Sequence, residues 1–232
     1  MGQYYKIVNV DKEEILVPWR FDNGAKLMEW AYEKNPMVLA MLNLLATTWK
    51  GDHVYVVGDY ADFSDSNKCW YKPLKAIFYE KGIRNLYSYS TEHFRDISEY
   101  TDREHNCYQY IYNHTLKVYI DLNKCPIENA CSFGRYSFIT FTKISPLPLL
   151  LAMGNGRGGG DFMNGCNGFE HVGTWCNTVQ SIELSKSVLP VNGYTEFQPN
   201  FTEKQPLIPY DAIKTYEDLE DFQERGIFIK RK

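Results

Sequence analysis

Apolar residues fall at strand spacing near the start of the chain. Tyr4–Asn9 and Glu14–Pro18 each read as a short strand, joined by a turn at Val10–Lys12. The spacing then changes to that of a helix, with Ala25, Leu27, Met28, Ala31 and Tyr32 on one face. Pro36 suits the first turn of a second helix over Met37–Thr48, which Gly51–Asp52 ends. His53–Gly58 is a β-branched and aromatic strand that runs into GDYAD and a polar loop. Tyr71–Tyr79 and Ile83–Tyr89 fit either a helix or a strand, and Glu92–Asp102 is charged and expected at the surface. Past the midpoint, Cys107–Asn113 and Leu116–Leu122 read as a second strand pair, and Gly134–Ile144 as a long strand. Ser145–Met153 is apolar, and Pro146 and Pro148 restrict any helix to the residues after them. Thr178–Leu184 reads as a strand, Ser185–Thr202 as loop, Asp211–Gln223 as an amphipathic helix and Ile227–Lys230 as a terminal strand or tail.

The two halves share a pattern. With Tyr4 set against Tyr108, Ile7 meets Ile111 and Asn9 meets Asn113, and apolar positions 15 and 16 meet 119 and 120. Leu44-Leu45-Ala46 matches Leu150-Leu151-Ala152, and Thr48-Trp49 matches Thr174-Trp175, each Trp standing before a strand. The expectation is an α+β fold of two related strand–strand–helix–strand halves, 1–104 and 105–232, packed as one unit. Chance similarity of two α+β segments is the alternative. The second half carries a long insertion between Ala152 and Trp175, and inside it lies GNGRGGGD, residues 154–161. An added loop on a repeated scaffold is a common way to place a site.

Composition narrows the function classes. The chain has 232 residues, 44% hydrophobic and 23% charged, as in a globular domain. Its net charge of −4 and the lack of a Lys/Arg stripe argue against nucleic-acid binding. No stretch is apolar for long enough to span a bilayer, and the first residues lack the pattern of an export signal, so no membrane partner and a cytoplasmic location are expected. Six cysteines without a CxxC pair read as reduced thiols, with no zinc site and no other metal or cofactor expected. The 18 tyrosines suit half-buried strands or a binding surface.

The glycine loop is the strongest candidate site. Gly154, Gly156 and Gly159 satisfy GxGxxG, but no helix can follow in FMNGCNGFEHVG, and no GK[ST] is present. A dinucleotide fold and a P-loop are therefore excluded. Consecutive glycines can instead turn backbone N–H groups inward as an anion nest. On this reading Asn155, Gly156, Arg157, Gly158, Gly159 and Gly160 hold the ligand, Arg157 as a bidentate donor, with Trp175 beside them. Asp161 orients the ligand or Arg157. The alternative is an Arg157–Asp161 ion pair that only closes the loop. His171 with Asp161 would form a hydrolytic acid–base pair, or His171 is an ordinary loop histidine. Asp59 and Asp62 suit either a hard cation or a solvated turn.

Several stretches carry a resemblance: MGQYYKIVN, GDYAD, NHT-x-K-x-Y-I-D-L and PLPLLLAMGNGRGGGDF followed by VGTW. In this order they resemble an uncharacterised family of bacterial and phage proteins. The resemblance implies a cytoplasmic protein and brings no activity with it. In that family a W-x-G-D comes after the glycine loop. Here Trp49-Lys-Gly-Asp52 keeps that pattern in the first half, whereas Trp175-Cys-Asn-Thr178 departs from it, which puts in doubt any role for an acid after Trp175.

Three functions are expected from these residues. The first is a cytoplasmic binding protein for a small anionic, nucleotide-like ligand. The second is a hydrolase or transferase acting on a phosphorylated or nucleotide substrate, with Asp161 or His171 as base. The third is an interaction module whose tyrosine-rich surface binds a protein partner or builds a homodimer.

Overall fold

The five residues Tyr5–Asn9 (β1), with Tyr, Ile and Val among them, form the centre of the first sheet, and every one is buried. The computed structural model describes residues 2–61, 82–83, 85–131, 139–154, 161–162, 166–202, 208–209 and 229–230. Strand Glu14–Leu16 (β2) returns antiparallel beside β1, and Val54–Gly58 (β3) pairs antiparallel on its other side. Between them runs helix Pro36–Ala46 (α1). It starts where Asn35 accepts a hydrogen bond from Met37 N at 2.9 Å, with Pro36 in the first turn, where an N–H has no helical partner to lose. Helix Leu86–His93 (α2) lies over the same strands and leads into Arg95–Asp96 (β4), which pairs parallel with β2.

The second sheet is built the same way. Tyr110–Asn113 (β5) pairs antiparallel with Val118–Asp121 (β6), and Ile127–Cys131 (β7) with Ile139–Lys143 (β8) makes a separate hairpin. Helix Pro146–Leu150 (α3) runs into Ala152–Met153 (β9), which pairs parallel with β3 and so completes the first sheet, in the order β4-β2-β1-β3-β9. Ile182–Ser185 (β10) joins β5 antiparallel, and Thr195–Glu196 (β11) joins β6 parallel. A short parallel pair, Ile208–Pro209 (β12) and Ile229–Lys230 (β13), stands apart. The chain is therefore α+β, and one buried cluster takes residues from both halves, among them Ile7, Trp49, Ile111, Leu150 and Trp175.

Register matches between the sheets position by position. Ile7 faces Leu16 and Asn9 faces Glu14, as Ile111 faces Ile120 and Asn113 faces Val118. Asn9 faces Val54 across the other edge, as Asn113 faces Ile182. Each hairpin turn holds one non-glycine residue in the left-handed region, Glu13 at φ 52° and Lys117 at φ 53°. Trp49 N donates to Leu44 O at 2.7 Å, and Trp175 N donates to Leu150 O at 3.0 Å. Asn9 accepts from Asp11 N and Lys12 N and donates to Asp52 Oδ2 at 2.8 Å. Asn113 accepts from Leu116 N and Ser181 Oγ and donates to Thr178 Oγ1 at 2.8 Å. Thr178 thus stands where Asp52 stands in the first unit and keeps its hydrogen-bonding job without the charge.

The units differ on one face. In the first, Lys6 and Val8 are sealed, and Lys6 Nζ donates to Tyr87 O of α2 at 2.9 Å. In the second, the equivalent positions are Tyr110 and Tyr112, and Tyr119 stacks on Tyr112 at 5.6 Å. Here His114 Nε2 lies 2.7 Å from Glu183 Oε2, and its Nδ1 lies 2.6 Å from Tyr194 Oη.

Local patterns are overruled where tertiary pairing competes. The helical spacing over 25–32 yields only a single 3-10 turn, Leu27–Glu29. The backbone beyond it is taken by the end of β8 and the residues that follow: Ser145 N donates to Ala31 O and Glu33 N to Lys143 O, both at 2.8 Å. Segment 92–102 is not simply surface, since it supplies β4 and the buried Ser98, whose hydroxyl accepts from Val17 N at 2.8 Å. Pro146 and Pro148 both lie inside α3 rather than before it. A helix of this length is nearly all first turn, where missing N–H groups are harmless. The strand expected over 178–184 opens as a 3-10 segment, Cys176–Ser181, because Thr178 and Ser181 hydroxyls bond back to Trp175 O and Thr178 O. The expected helix over 211–223 lies outside the described residues, as do 71–79.

Asn113→Ala removes three hydrogen bonds at a buried turn and is expected to cost about 1–3 kcal/mol in urea unfolding, with the midpoint moved and the slope unchanged. Burial lowers the Lys6 ammonium from its ordinary value to about 8, with Asp96 pulling the other way. The folded chain then holds this proton less tightly than the unfolded chain, so Lys6 makes stability rise between about pH 8 and the unfolded lysine value of about 10.4. The difference in unfolding free energy between wild type and Lys6→Met should change across that window; a constant difference would contradict the assignment.

Candidate functional site at one corner of the first sheet

Because β3 and β9 are parallel, their carboxyl ends lie together, Val57 beside Met153. Antiparallel β1 begins at the same corner, with Tyr5 opposite Gly58. Crevices beyond the carboxyl ends of parallel strands are frequent ligand sites, because loops diverge there and leave backbone groups exposed to a guest. Three distant stretches meet at this one: MGQYY, the start of GDYAD and the start of the glycine loop.

Close approach fixes the residue types. Gln3 and Tyr5 are buried, and Tyr5 Oη donates to Gln3 Oε1 at 2.9 Å. A side chain at Gly154 would begin 2.3 Å from Tyr5 Oη and 2.9 Å from Gln3 Oε1. One at Gly58 would begin 2.3 Å from Gln3 Nε2. Both positions are therefore glycine for lack of space. Asp59 stitches the strand ends: its N–H donates to Tyr4 O at 2.9 Å and its carboxylate accepts from Tyr4 N at 3.1 Å. Asn85, just ahead of α2, donates to Asp59 O at 2.7 Å.

Asn155, Gly156, Arg157, Gly158, Gly159 and Gly160 lie outside the described residues, as does Asp62. The far end of the loop is described. Asp161 is 4% exposed, and its Oδ1 accepts from Phe162 N at 2.8 Å. Phe162 is buried edge-on against Phe201, ring centres 5.4 Å apart. His171 is engaged elsewhere: Nε2 is 3.6 Å from Glu170 Oε1, and the ring meets Phe197 edge-on at 4.9 Å. Among the described residues no hydrogen bond or ion pair joins His171 to Asp161. Trp175 is 1% exposed and packs near Phe197, as a core residue does. Among the described residues no group of three His, Cys, Asp or Glu side chains could hold a metal ion, and no helix is long and apolar enough to cross a membrane.

Sequence reading pointed to the loop as the candidate site and did not single out Gln3, Tyr5 and Gly58, which meet the loop's first residue in the fold. Motif spacing alone does not reveal that they meet.

Gly154→Ala should lower stability by about 1–3 kcal/mol through overpacking. Tyr5→Phe in that background removes the nearest atom and should restore part of the loss, measured as a double-mutant cycle. No protein family, no curated protein and no solved structure matches the chain.

Proposed function

We infer that the protein is a cytoplasmic binding protein for a small anionic, nucleotide-like ligand, held at the corner where β3 and β9 end. The observation that carries this reading is the seat of Gly154. The first residue of the glycine loop lies against a buried Tyr5–Gln3 pair, with space for no side chain. Such packing fixes where the loop starts, and Phe162 fixes where it finishes. The loop composition supplies backbone donors, and Arg157 supplies a planar cation suited to phosphate or carboxylate. Buried Asp161 at the loop end is the residue to orient the ligand or Arg157. The separate commitments of His171 and Asp161 favour binding over hydrolysis.

The matched registers, turns and Trp–Leu hydrogen bonds support descent of both sheets from one duplicated unit. On that view the glycine loop is an addition to the second copy, delivered by β9 to the sheet of the first.

A thermal-shift screen of nucleotides, cyclic nucleotides and simple anions tests the reading on wild type and Arg157→Ala. A ligand that binds only the folded chain raises its melting temperature, by about 2.7 kcal/mol of stability at a hundred times Kd. The expected result is a shift in wild type, lost in the variant, with the ligand recovered unchanged by mass analysis. A chemically altered ligand would mark an enzyme. A cooperative melt that no compound moves would overturn the reading.

A further inference from the structure

Strand alternation sorts the residues at the corner onto two sides of the sheet. Gln3 and Tyr5 lie on the side where Gly58 and Gly154 seat against them. Tyr4 and Lys6 fall on the other, where Lys6 Nζ meets Tyr87 O of α2 at 2.9 Å. The connection after β3 passes to this second side, where Asn85 at its far end donates to Asp59 O at 2.7 Å. The glycine loop after β9 sets off against Tyr5, on the first side. Two parallel neighbours whose connections part to opposite faces leave a crevice between them, and ligands of open sheets gather there.

The α2 side of this corner is aromatic and open. Tyr4 is 49% exposed and Tyr60 is 41% exposed. Among the described residues neither ring stacks on another. Both are carried on fixed backbone: Asp59 bonds to Tyr4 through its N–H and its carboxylate, and Ala61 N donates to Gly58 O at 3.0 Å, closing the turn that carries Tyr60. Rings held this way lose little freedom when a flat guest covers them. The Tyr87 ring, by contrast, is already covered, with Lys6 Nζ 3.9 Å from its centre. Burial raises the Tyr87 phenol, and the Asp59 carboxylate and Tyr4 add to the effect, which places these groups together. A carboxylate on this side repels an anion. A charged group is therefore directed to the glycine loop and a neutral ring to the tyrosines.

We propose that Tyr4 and Tyr60 form the base-stacking half of the ligand site, so that the anion held at the glycine loop belongs to a nucleotide and not to a sugar phosphate or inorganic phosphate. This inference rests on the reading of the glycine loop as the anion site. Every base has a π face, so such a platform accepts purines and pyrimidines alike, and one stacked base strengthens binding about tenfold or more. Purines, with the larger ring, stack more strongly. The two tyrosines thus set the class of ligand, while the loop sets its charge.

Calorimetric titration of the whole chain with AMP, UMP and ribose 5-phosphate isolates the contribution of the base, which only the first two carry. AMP should bind at least about tenfold more tightly than ribose 5-phosphate, with UMP between them. Tyr4→Ala and Tyr60→Ala should each weaken AMP about five- to tenfold and so remove most of the advantage of the base. Tyr4→Phe, which keeps the ring, should recover it. Arg157→Ala should weaken all three probes by a similar factor. If AMP and UMP bind wild type no more tightly than ribose 5-phosphate, the tyrosine platform is overturned and the anion reading stands. An AMP advantage that survives in both alanine variants would overturn the platform as well. Absence of binding by all three probes would overturn the platform together with the anion reading on which it rests.

Discussion

The parallel pairing of Ala152–Met153 with Val56–Val57 is the junction on which the rest of the chain's arrangement depends. All four residues are buried, and Val56 N donates to Leu151 O at 3.0 Å. Buried backbone groups must find partners, so a strand this short is specified chiefly by what surrounds it. Fixing it fixes α3, just upstream, whose last carbonyls then serve as acceptors. Gly173 N bonds to Leu149 O at 2.9 Å, and Trp175 N bonds to Leu150 O. Through these bonds the chain is turned toward β10, and the second sheet takes its place relative to the first.

Two sheets with one plan carry different surfaces. In the first, α2 covers the strand face and a lysine is buried under it. In the second, the same face is laid out in tyrosines, and Glu183, His114 and Tyr194 form a continuous hydrogen-bonded chain across it. The positions that differ fall alternately along β5, while Ile111 and Asn113, on the other face, match the character of Ile7 and Asn9. Period-two alternation lets one face diverge without disturbing the core beneath it.

Much of the first sheet was legible in the sequence because its strands are short apolar runs bounded by turns. Helix α1 was legible from Pro36 and the Leu/Met/Ala run after it. The spacing over 25–32 misled because a helix pattern and a buried irregular segment put the same residue types inside; only the distant carbonyl of Lys143 and amide of Ser145 decide between them. Likewise Thr178–Leu184 has strand composition, but its hydroxyls have nearby carbonyls to bond to. For the site, glycine content pointed to the loop, while its buried floor needs the pairing of β1, β3 and β9.

The glycine loop leaves the core at Met153 and re-enters it at Phe162, and both side chains are wholly buried. Closing a flexible loop has an entropic cost that depends on how far its ends are free to wander. Here both ends are anchored, Met153 by pairing with Val57 and Phe162 by edge-on packing against Phe201. On the proposed reading, anchored ends lower the ordering cost of binding, so modest contacts would give useful affinity. If the proposed reading holds, the same tether sets a direction for change: loosening Phe162 from Phe201 would weaken binding at a distance from the ligand.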